Sequence, residues 1–506
     1  MPNVRRASPD DRPNILFFFT DEHRLSALGC YGETPCETPH IDRLADEGVR
    51  FETAYTCCPV CTPARASFMT GLYPHAHGMT ANLRELGTNV SELPDSPHLL
   101  SRRLAAAGYR CGYTGKWHLG EGDEWFGQKL DKALPSTRGF DGIDFPGHGG
   151  GGFGFPEYKA YLEQHGWEHK LKPTKTPGQQ CMPLGLLEGP VESTVPYFLA
   201  EHTIGLINRY KDSGEPFFIW HNNWGPHEPY YVPEAHYEHY LAKEIPPWPN
   251  YDWPARAING PHQAKLHPRA DELTWADWAD AIRHYYAFTT LIDEQLGRVL
   301  AHLDATGLAK NTAIIFSSDH GETLGSHGGL IDKGWHHFEE IQRIGLIIKD
   351  PRGFGPKGLK AGSVPKQWAS LLDLHPTVLD LALPGQGYDA ERLHGRSLLP
   401  LLRGETTTGR DEILVEFGGL GPAMTLLTYR HKDLKYGWNV VNRDELYDLA
   451  ADPHEMHNLI DDPAYAAALR EIRERFYACL DHLGHYARGT FGKSRLGMPA
   501  WGKLGG

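Results

Sequence analysis

Four short apolar runs in this 506-residue chain each lead into side chains able to do chemistry. Asp21 and Glu22 follow the first, Lys116 and His118 the second, His227 the third, and Asp319 and His320 the fourth. Any one of them alone reads as a solvated loop residue, but four consecutive cases point to a shared site. Asp21, Glu22 and Asp319 brought to one edge would repel one another unless neutralised, and a divalent cation does this most directly. Oxygen ligands suit Ca²⁺, Mg²⁺ or Mn²⁺, while an imidazole from His320 shifts the choice toward Mn²⁺ or another metal that accepts nitrogen. Without a metal, Asp319 and His320 would only cap a turn. Arg65, Lys116 and Lys333 supply positive charge and His118 and His227 supply imidazoles, a mixture that suits an oxyanion held between a cation and basic side chains.

Cys61 completes the set. Thr62 reads as a helix cap with Pro63 at the first helical position, so Cys61 would lie at a helix N-terminus, where negative charge is favoured and a thiol ionises more easily. Cys58-Pro-Val-Cys61 also reads as a C-x-x-C pair, which would make the chain a thiol-redox or metal-binding protein. The small βαβ context of a redox pair and the further ligands of a zinc site are both missing from the sequence around it.

The elements that must position these residues follow an alternating grammar. The apolar runs Asn14 to Phe19, Tyr109 to Thr114, Pro216 to Trp220, Ala313 to Phe316 and Ile344 to Ile348 read as strands. Helical patterns lie between them, the clearest running through Tyr285, Phe288, Ile292, Leu296, Val299 and Leu303 toward a left-handed cap at Gly307. The fold class expected is α/β: a large, mostly parallel sheet sandwiched by helices, with ligands bound beyond the carboxyl ends of its strands. From residue 401 the pattern changes to short strands, Glu412 to Phe417 and Met424 to Tyr429, and one helix from about Tyr465 to Leu483. The expected domains are therefore a catalytic unit over 1–400, a smaller α+β domain over 401–485 and a tail over 486–506. Arg488, Lys493, Arg495 and Lys503 make the tail basic, which hints at a homo-oligomer or at a frayed end. Residues 145–190 read as an irregular stretch containing His148 and Gly149 to Gly152.

Composition narrows the class. Fifty basic against 64 acidic side chains leave a net charge of −14, which argues against broad attraction to nucleic acid or an anionic membrane. No apolar run approaches the length of a membrane span. Eight cysteines are too sparse for a disulfide scaffold, and the chain reads as soluble and cytoplasmic.

Cys61-Thr62-Pro63-Ala64-Arg65, followed by Ala66-Ser67-Phe68-Met69-Thr70-Gly71, resembles the Cys-x-Pro-x-Arg signature of the type I, formylglycine-dependent sulfatases of the alkaline phosphatase superfamily. Thr20-Asp21-Glu22, Thr38-Pro39-His40-Ile41-Asp42-Arg43-Leu44, Gly115-Lys116-Trp117-His118, Gly225-Pro226-His227-Glu228-Pro229 and Ser318-Asp319-His320-Gly321-Glu322 support it in family order. So do Lys333, Gly395-Arg396-Ser397-Leu398-Leu399-Pro400 and Leu446-Tyr447-Asp448-Leu449 with Asp452-Pro453. The resemblance implies that a separate maturation enzyme oxidises Cys61 to formylglycine, whose hydrate is a geminal diol. One diol oxygen would attack sulfur to give a covalent sulfate ester, and the other would expel sulfate and restore the aldehyde. It further implies that Asp21, Glu22, Cys61, Asp319 and His320 hold one divalent ion, with Ca²⁺ preferred and Mn²⁺ the alternative. Arg65 would hold the diol and Lys116 the sulfate, His118 would open the hemiacetal as a base, and His227 and Lys333 would flank the leaving oxygen.

Two features depart from the family pattern, which often has Asp-Asp at Asp21-Glu22 and Asp-Asn at Asp319-His320. The second resembles the related phosphonate monoester hydrolases, so phosphonate monoester or phosphodiester hydrolysis is the alternative activity. Gly115-Lys116-Trp117-His118 is the sulfatase form and favours sulfate. Trp224, Tyr230, Tyr231, Tyr237, Trp248 and Trp253 are either core or the lining of a pocket for a small-molecule or carbohydrate sulfate ester.

Overall fold

The computed structural model describes residues 12–83, 90–120, 132–173, 182–252, 273–333, 336–384, 389–418, 425–440 and 443–488. Seven strands form the central sheet: β1 (Asn14–Asp21), β2 (Val49–Arg50), β3 (Arg110–Gly115), β4 (Asp141–Gly142), β5 (Phe217–Pro226), β6 (Thr312–Ser318) and β7 (Leu346–Lys349). Across the sheet they run β2-β7-β6-β1-β5-β3-β4. β7 is antiparallel to both its neighbours, and the other pairs are parallel.

The central strands are apolar on both faces because helices cover both. Ile15, Phe17 and Phe19 of β1 enter one core together with Phe218 and Trp220 of β5 and Ala313 and Ile315 of β6. Leu16, Phe18, Phe217, Ile219, Ile314 and Phe316 enter the other. This is the period-two alternation of a strand, with each face buried in a different core. On the first face lie α1 (Cys61–Thr70) and α4 (Leu371–Ala382); on the second lie α2 (Val195–Ser213) and α3 (Trp275–Ala305). The α/β sandwich read from the sequence is therefore the observed architecture.

Several boundaries differ from the sequence reading. α3 starts ten residues before Tyr285, at a capping box formed by Thr274 and Asp277, and ends before Gly307 at φ 73. β5 continues past Trp220 to Pro226, because His221, Asn222 and Asn223 are buried polar residues within the strand rather than a loop. Thr62 does not cap α1: the helix begins at Cys61, the residue before it is Val60, and the Thr62 hydroxyl donates to the His118 carbonyl at 2.8 Å. Nor is 145–190 wholly irregular. It holds the helix Pro156–His165 and the strands Lys170–Pro173 and Leu184–Glu188, the second of which pairs with Tyr230–Pro233, a partner too distant in sequence for local pattern to show.

Beyond the sandwich, β8 (Glu412–Phe417), β9 (Leu426–His431), β10 (Leu434–Asn439) and β11 (Glu445–Asp448) form an antiparallel meander. The helix α5 (Ala466–Leu483) packs Ile472, Phe476 and Leu480 against Leu414, Tyr429 and Tyr436 of this sheet. β9 starts two residues later than the strand read from Met424, and Met424, Cys181, Trp253, Lys493, Arg495 and Lys503 lie outside the described residues.

Candidate active site

Parallel register brings four strand ends to one edge: Thr20 pairs with Ser318 and Gly115 with Asn222. Asp21 closes β1, and Asp319 directly follows β6. Lys116 is delivered by Gly115, which sits at φ 91 where a Cβ would come 1.7 Å from the Asn222 carbonyl oxygen. Only glycine allows that approach. Cys61 arrives from the other direction as the first residue of α1, whose N-terminus favours negative charge.

Around Cys61 the contacts are short. Its Sγ lies 3.3 Å from His320 Nε2, 3.5 Å from Lys116 Nζ and 3.6 Å from Asp21 Oδ1. Lys116 also forms an ion pair with Asp21. Asp21, Cys61, Asp319 and His320 each present one donor atom, all within 4.8 Å of one another. Glu22 groups instead with Asp21 and His227. Its Oε2 accepts from Lys333 Nζ at 2.6 Å and lies 3.1 Å from His227 Nε2. Lys333 Nζ is 2.7 Å from His227 Nε2, and His227 Nδ1 faces Glu228 Oε2 at 2.9 Å. His118 reaches this group through His148, whose ring lies 4.8 Å from that of His118 and 4.9 Å from that of His227. All ten expected site residues are thus gathered at one end of the sheet.

Arg65 binds both carboxylates of the group. Its guanidinium donates to Asp21 Oδ2 at 2.9 Å, Asp319 Oδ2 at 3.1 Å, Asn222 Oδ1 at 2.8 Å and the Lys116 carbonyl at 3.0 Å. Nε and Nη2 thus clamp the two carboxylates, while Nη1 ties the group to Asn222 and the Lys116 carbonyl. Asn222 was hidden from sequence reading because β5 was ended too early, and Glu228 because it lay within a motif valued for its histidine. His148 was visible only as part of a glycine-rich stretch.

The electrostatics follow from burial. Burial and the Asp21 charge oppose ionisation of Cys61, yet Lys116, Lys333 and His320 prevail and bring the thiol down to about 6. Burial raises Glu22 well above the usual carboxylate range, and Lys333 offsets only part of it. Asp21 moves the other way, since Lys116 and Arg65 overcome its burial. His227 is raised to about 10 against burial, chiefly by Glu228. His118 is lowered by burial and by His148 and Lys116, so it stays neutral. Glu22 and His118 both sit at positive φ, 59° and 54°, a strain of roughly 1–3 kcal/mol each that the surrounding packing must impose.

These residues fit a divalent cation. Two carboxylates and an imidazole converge on one point, and Glu22, the residue after Asp21, has a buried Oε1 with no hydrogen-bond partner. A carboxyl buried in this way is costly to ionise unless a charge meets it. A redox pair of Cys58 and Cys61 has less support: Cys58 packs with Val60, Phe417 and Leu426, burial pushes its thiol well up, and all seven described cysteines are free.

Comparison with known proteins points the same way. The family model described as Sulfatase matches residues 13–384, and the one described as N-sulphoglucosamine sulphohydrolase, C-terminal, matches 325–481. The chain is 31% identical to the uncharacterized sulfatase YidJ of Escherichia coli, over 97% of this chain and 91% of that one. It is 28% identical to an N-acetylglucosamine-6-O-sulfatase of Bacteroides thetaiotaomicron, over 92% and 85%. Among solved structures, the phosphonate monoester hydrolase of Agrobacterium radiobacter superposes with a TM-score of 0.77 at 25% identity, covering 93% of this chain and 96% of that one.

Proposed function

The chain belongs to the sulfatase family, a group of sulfuric ester hydrolases that generally use a metal ion and formylglycine, and from that premise we propose how its own residues do the work. Residue 61, converted from cysteine to formylglycine by a separate maturation enzyme, is the nucleophile. The observation that carries this is the position of Cys61 Sγ, within 3.3–3.6 Å of His320, Lys116 and Asp21 at the mouth of four converging strand ends.

Asp21, Asp319 and His320 hold the divalent ion together with residue 61, and Glu22 Oε1 is the fifth donor that completes the set. When bound, the ion supplies positive charge that lowers the pKa of the attacking hydroxyl and neutralises the sulfate oxygens. Ca²⁺ remains the preferred ion, with Mn²⁺ favoured to the extent that His320 binds through nitrogen. Arg65 fixes the relative placement of Asp21 and Asp319. Lys116 binds a sulfate oxygen, and its ion pair with Asp21 sets its direction. His118, held neutral, takes the proton from the second hydroxyl of residue 61 as sulfate leaves and the aldehyde returns. His227, kept protonated by Glu228, and Lys333 flank the ester oxygen that departs with the alcohol.

The substrate is a sulfate ester of a small molecule or carbohydrate. A carbohydrate is supported by the likeness to the N-acetylglucosamine-6-O-sulfatase. A second activity on phosphonate monoesters is supported by His320 and by the likeness to the phosphonate monoester hydrolase. Among the described residues no helix is long and apolar enough to cross a membrane. The seven described cysteines are all free, which fits a reducing compartment such as the cytoplasm. The direct test is Cys61→Ala, which should lose at least about 10⁴-fold in sulfate-ester turnover with an unchanged circular dichroism spectrum. Retention of most activity would refute the assignment.

A further inference from the structure

A third imidazole stands between the two histidines already placed at the centre. The ring of His148 lies edge-on to both His118 and His227, at 4.8 and 4.9 Å, and so bridges residues that follow different strands. Its backbone is pinned, because the Trp224 indole N–H donates to the His148 carbonyl at 2.6 Å. The turn beyond it is fixed as well: Gly149 has φ 78, and a Cβ there would come 2.5 Å from the Phe155 ring. His148 Nδ1 accepts from the Gly150 backbone N–H at 3.3 Å, which places the ring proton on Nε2. That Nε2–H has no hydrogen-bond partner among the described residues.

Exposure separates the three rings. His118 and His227 are 3% and 7% exposed, whereas His148 is only partly buried. The nitrogens of His227 are already committed, Nδ1 to Glu228 and Nε2 to Glu22 and Lys333. His148 therefore offers a preorganised N–H, without a partner among the described residues, between the two histidines of the site.

We propose that His148 is a substrate-contacting residue that donates its Nε2–H to the ester oxygen departing with the alcohol. This rests on the sulfatase reading above. As the S–O bond breaks, its electron pair goes to that oxygen, protonated His227 supplies the proton that completes the alcohol, and the His148 hydrogen bond strengthens while His148 keeps its own proton. The benefit grows with the charge that the oxygen develops, so it is larger for an alkyl alcohol than for a stabilised phenolate.

The experiment compares wild type, His148→Ala and His148→Gln on an alkyl sulfate and on 4-nitrophenyl sulfate. His148→Ala should lose about 10²-fold in kcat/KM on the alkyl ester, the order expected for one oxyanion donor, and only a few-fold on the nitrophenyl ester. His148→Gln, which restores an N–H near the position of Nε2, should recover part of the alkyl loss. Equal losses on both esters, no loss, or no recovery by glutamine overturns the proposal. Should His148→Ala fail to fold, Trp224→Phe, which removes the pinning N–H, must show a smaller loss of the same leaving-group dependence; a uniform loss overturns the proposal. Wild type inactive on every sulfate ester would instead bring down the sulfatase reading on which it rests.

Discussion

The catalytic edge of the central sheet and the seam beneath the C-terminal meander both bury charge, but they treat it differently. At the seam, Asp373 accepts at Oδ1 from Arg410 Nη2 at 2.5 Å and the Arg396 N–H at 2.8 Å, and at Oδ2 from Arg410 Nε at 2.8 Å and the Ser370 N–H at 2.9 Å. Lys435, fully buried, is held between Glu339 at 2.9 Å and Glu455 at 2.6 Å. The Asp373 and Arg410 charges answer one another within the protein, whereas burial pushes Glu455 up to about 8 despite Lys435. At the catalytic edge, Glu22 Oε1 and His118 Nδ1 are buried with no hydrogen-bond partner, and Glu22 is pushed upward by its own burial. A carboxylate met on both oxygens, as Asp373 is, holds the fold together; carboxylates gathered with an imidazole at a strand edge are where a cation can bind.

Breaking each region separately tests that contrast. Removal of divalent ions by a chelator should cut turnover by more than about 10³-fold, as several oxyanion contacts are lost together, and readdition should restore it. A fully active metal-free enzyme would contradict the reading of the acidic group. Arg410→Ala strands the Asp373 carboxylate and should cost about 3–5 kcal/mol in denaturant unfolding. The folded fraction should keep its kcat, and a loss of kcat beyond the loss of folded protein would blur the distinction.

A smaller effect concerns pH. Burial holds His23, His221 and His337 down to about 3, far below the usual 6.5. The unfolded chain therefore takes up protons first as pH falls, so stability that is complete above 6.5 is lost progressively toward pH 3. Each ring contributes about 1.4 kcal/mol per pH unit in that window. Tm should decline steadily below pH 6, and a flat Tm between pH 7 and 5 would count against it. The smallest expected effect is the most pointed. In chelated protein, Glu22→Gln should raise stability by about 1 kcal/mol by removing a penalised carboxyl, while metal affinity falls. Destabilisation by that change would mean that the Oε2 contacts with Lys333 and His227 outweigh the cost of burying the carboxyl.

Much of this was legible in the sequence because parallel central strands are continuous apolar runs and the reactive residues come directly after them. Asp21, Lys116 and Asp319 could be placed on that ground alone. What escaped depends on polar groups buried inside elements. His221 and Asn222 look like loop residues, yet His221 Nδ1 meets the Thr203 hydroxyl and Asn222 Oδ1 accepts from Arg65, contacts formed only on folding. The turning of Glu22 toward Lys333 follows from a positive φ that no residue pattern announces. His148 is defined by two ring contacts across the fold, so its spacing carried no signal.

The central claim is that residue 61, once converted, is the nucleophile beside a cation held by Asp21, Asp319 and His320. Its most direct test is a series of preparations differing in conversion, each assayed for sulfate-ester turnover and analysed by peptide mass for the loss of sulfur and two hydrogens and the gain of oxygen at position 61. Turnover should rise in proportion to the converted fraction and extrapolate to zero with unmodified cysteine. Full activity in a preparation whose residue 61 is entirely unmodified would contradict it.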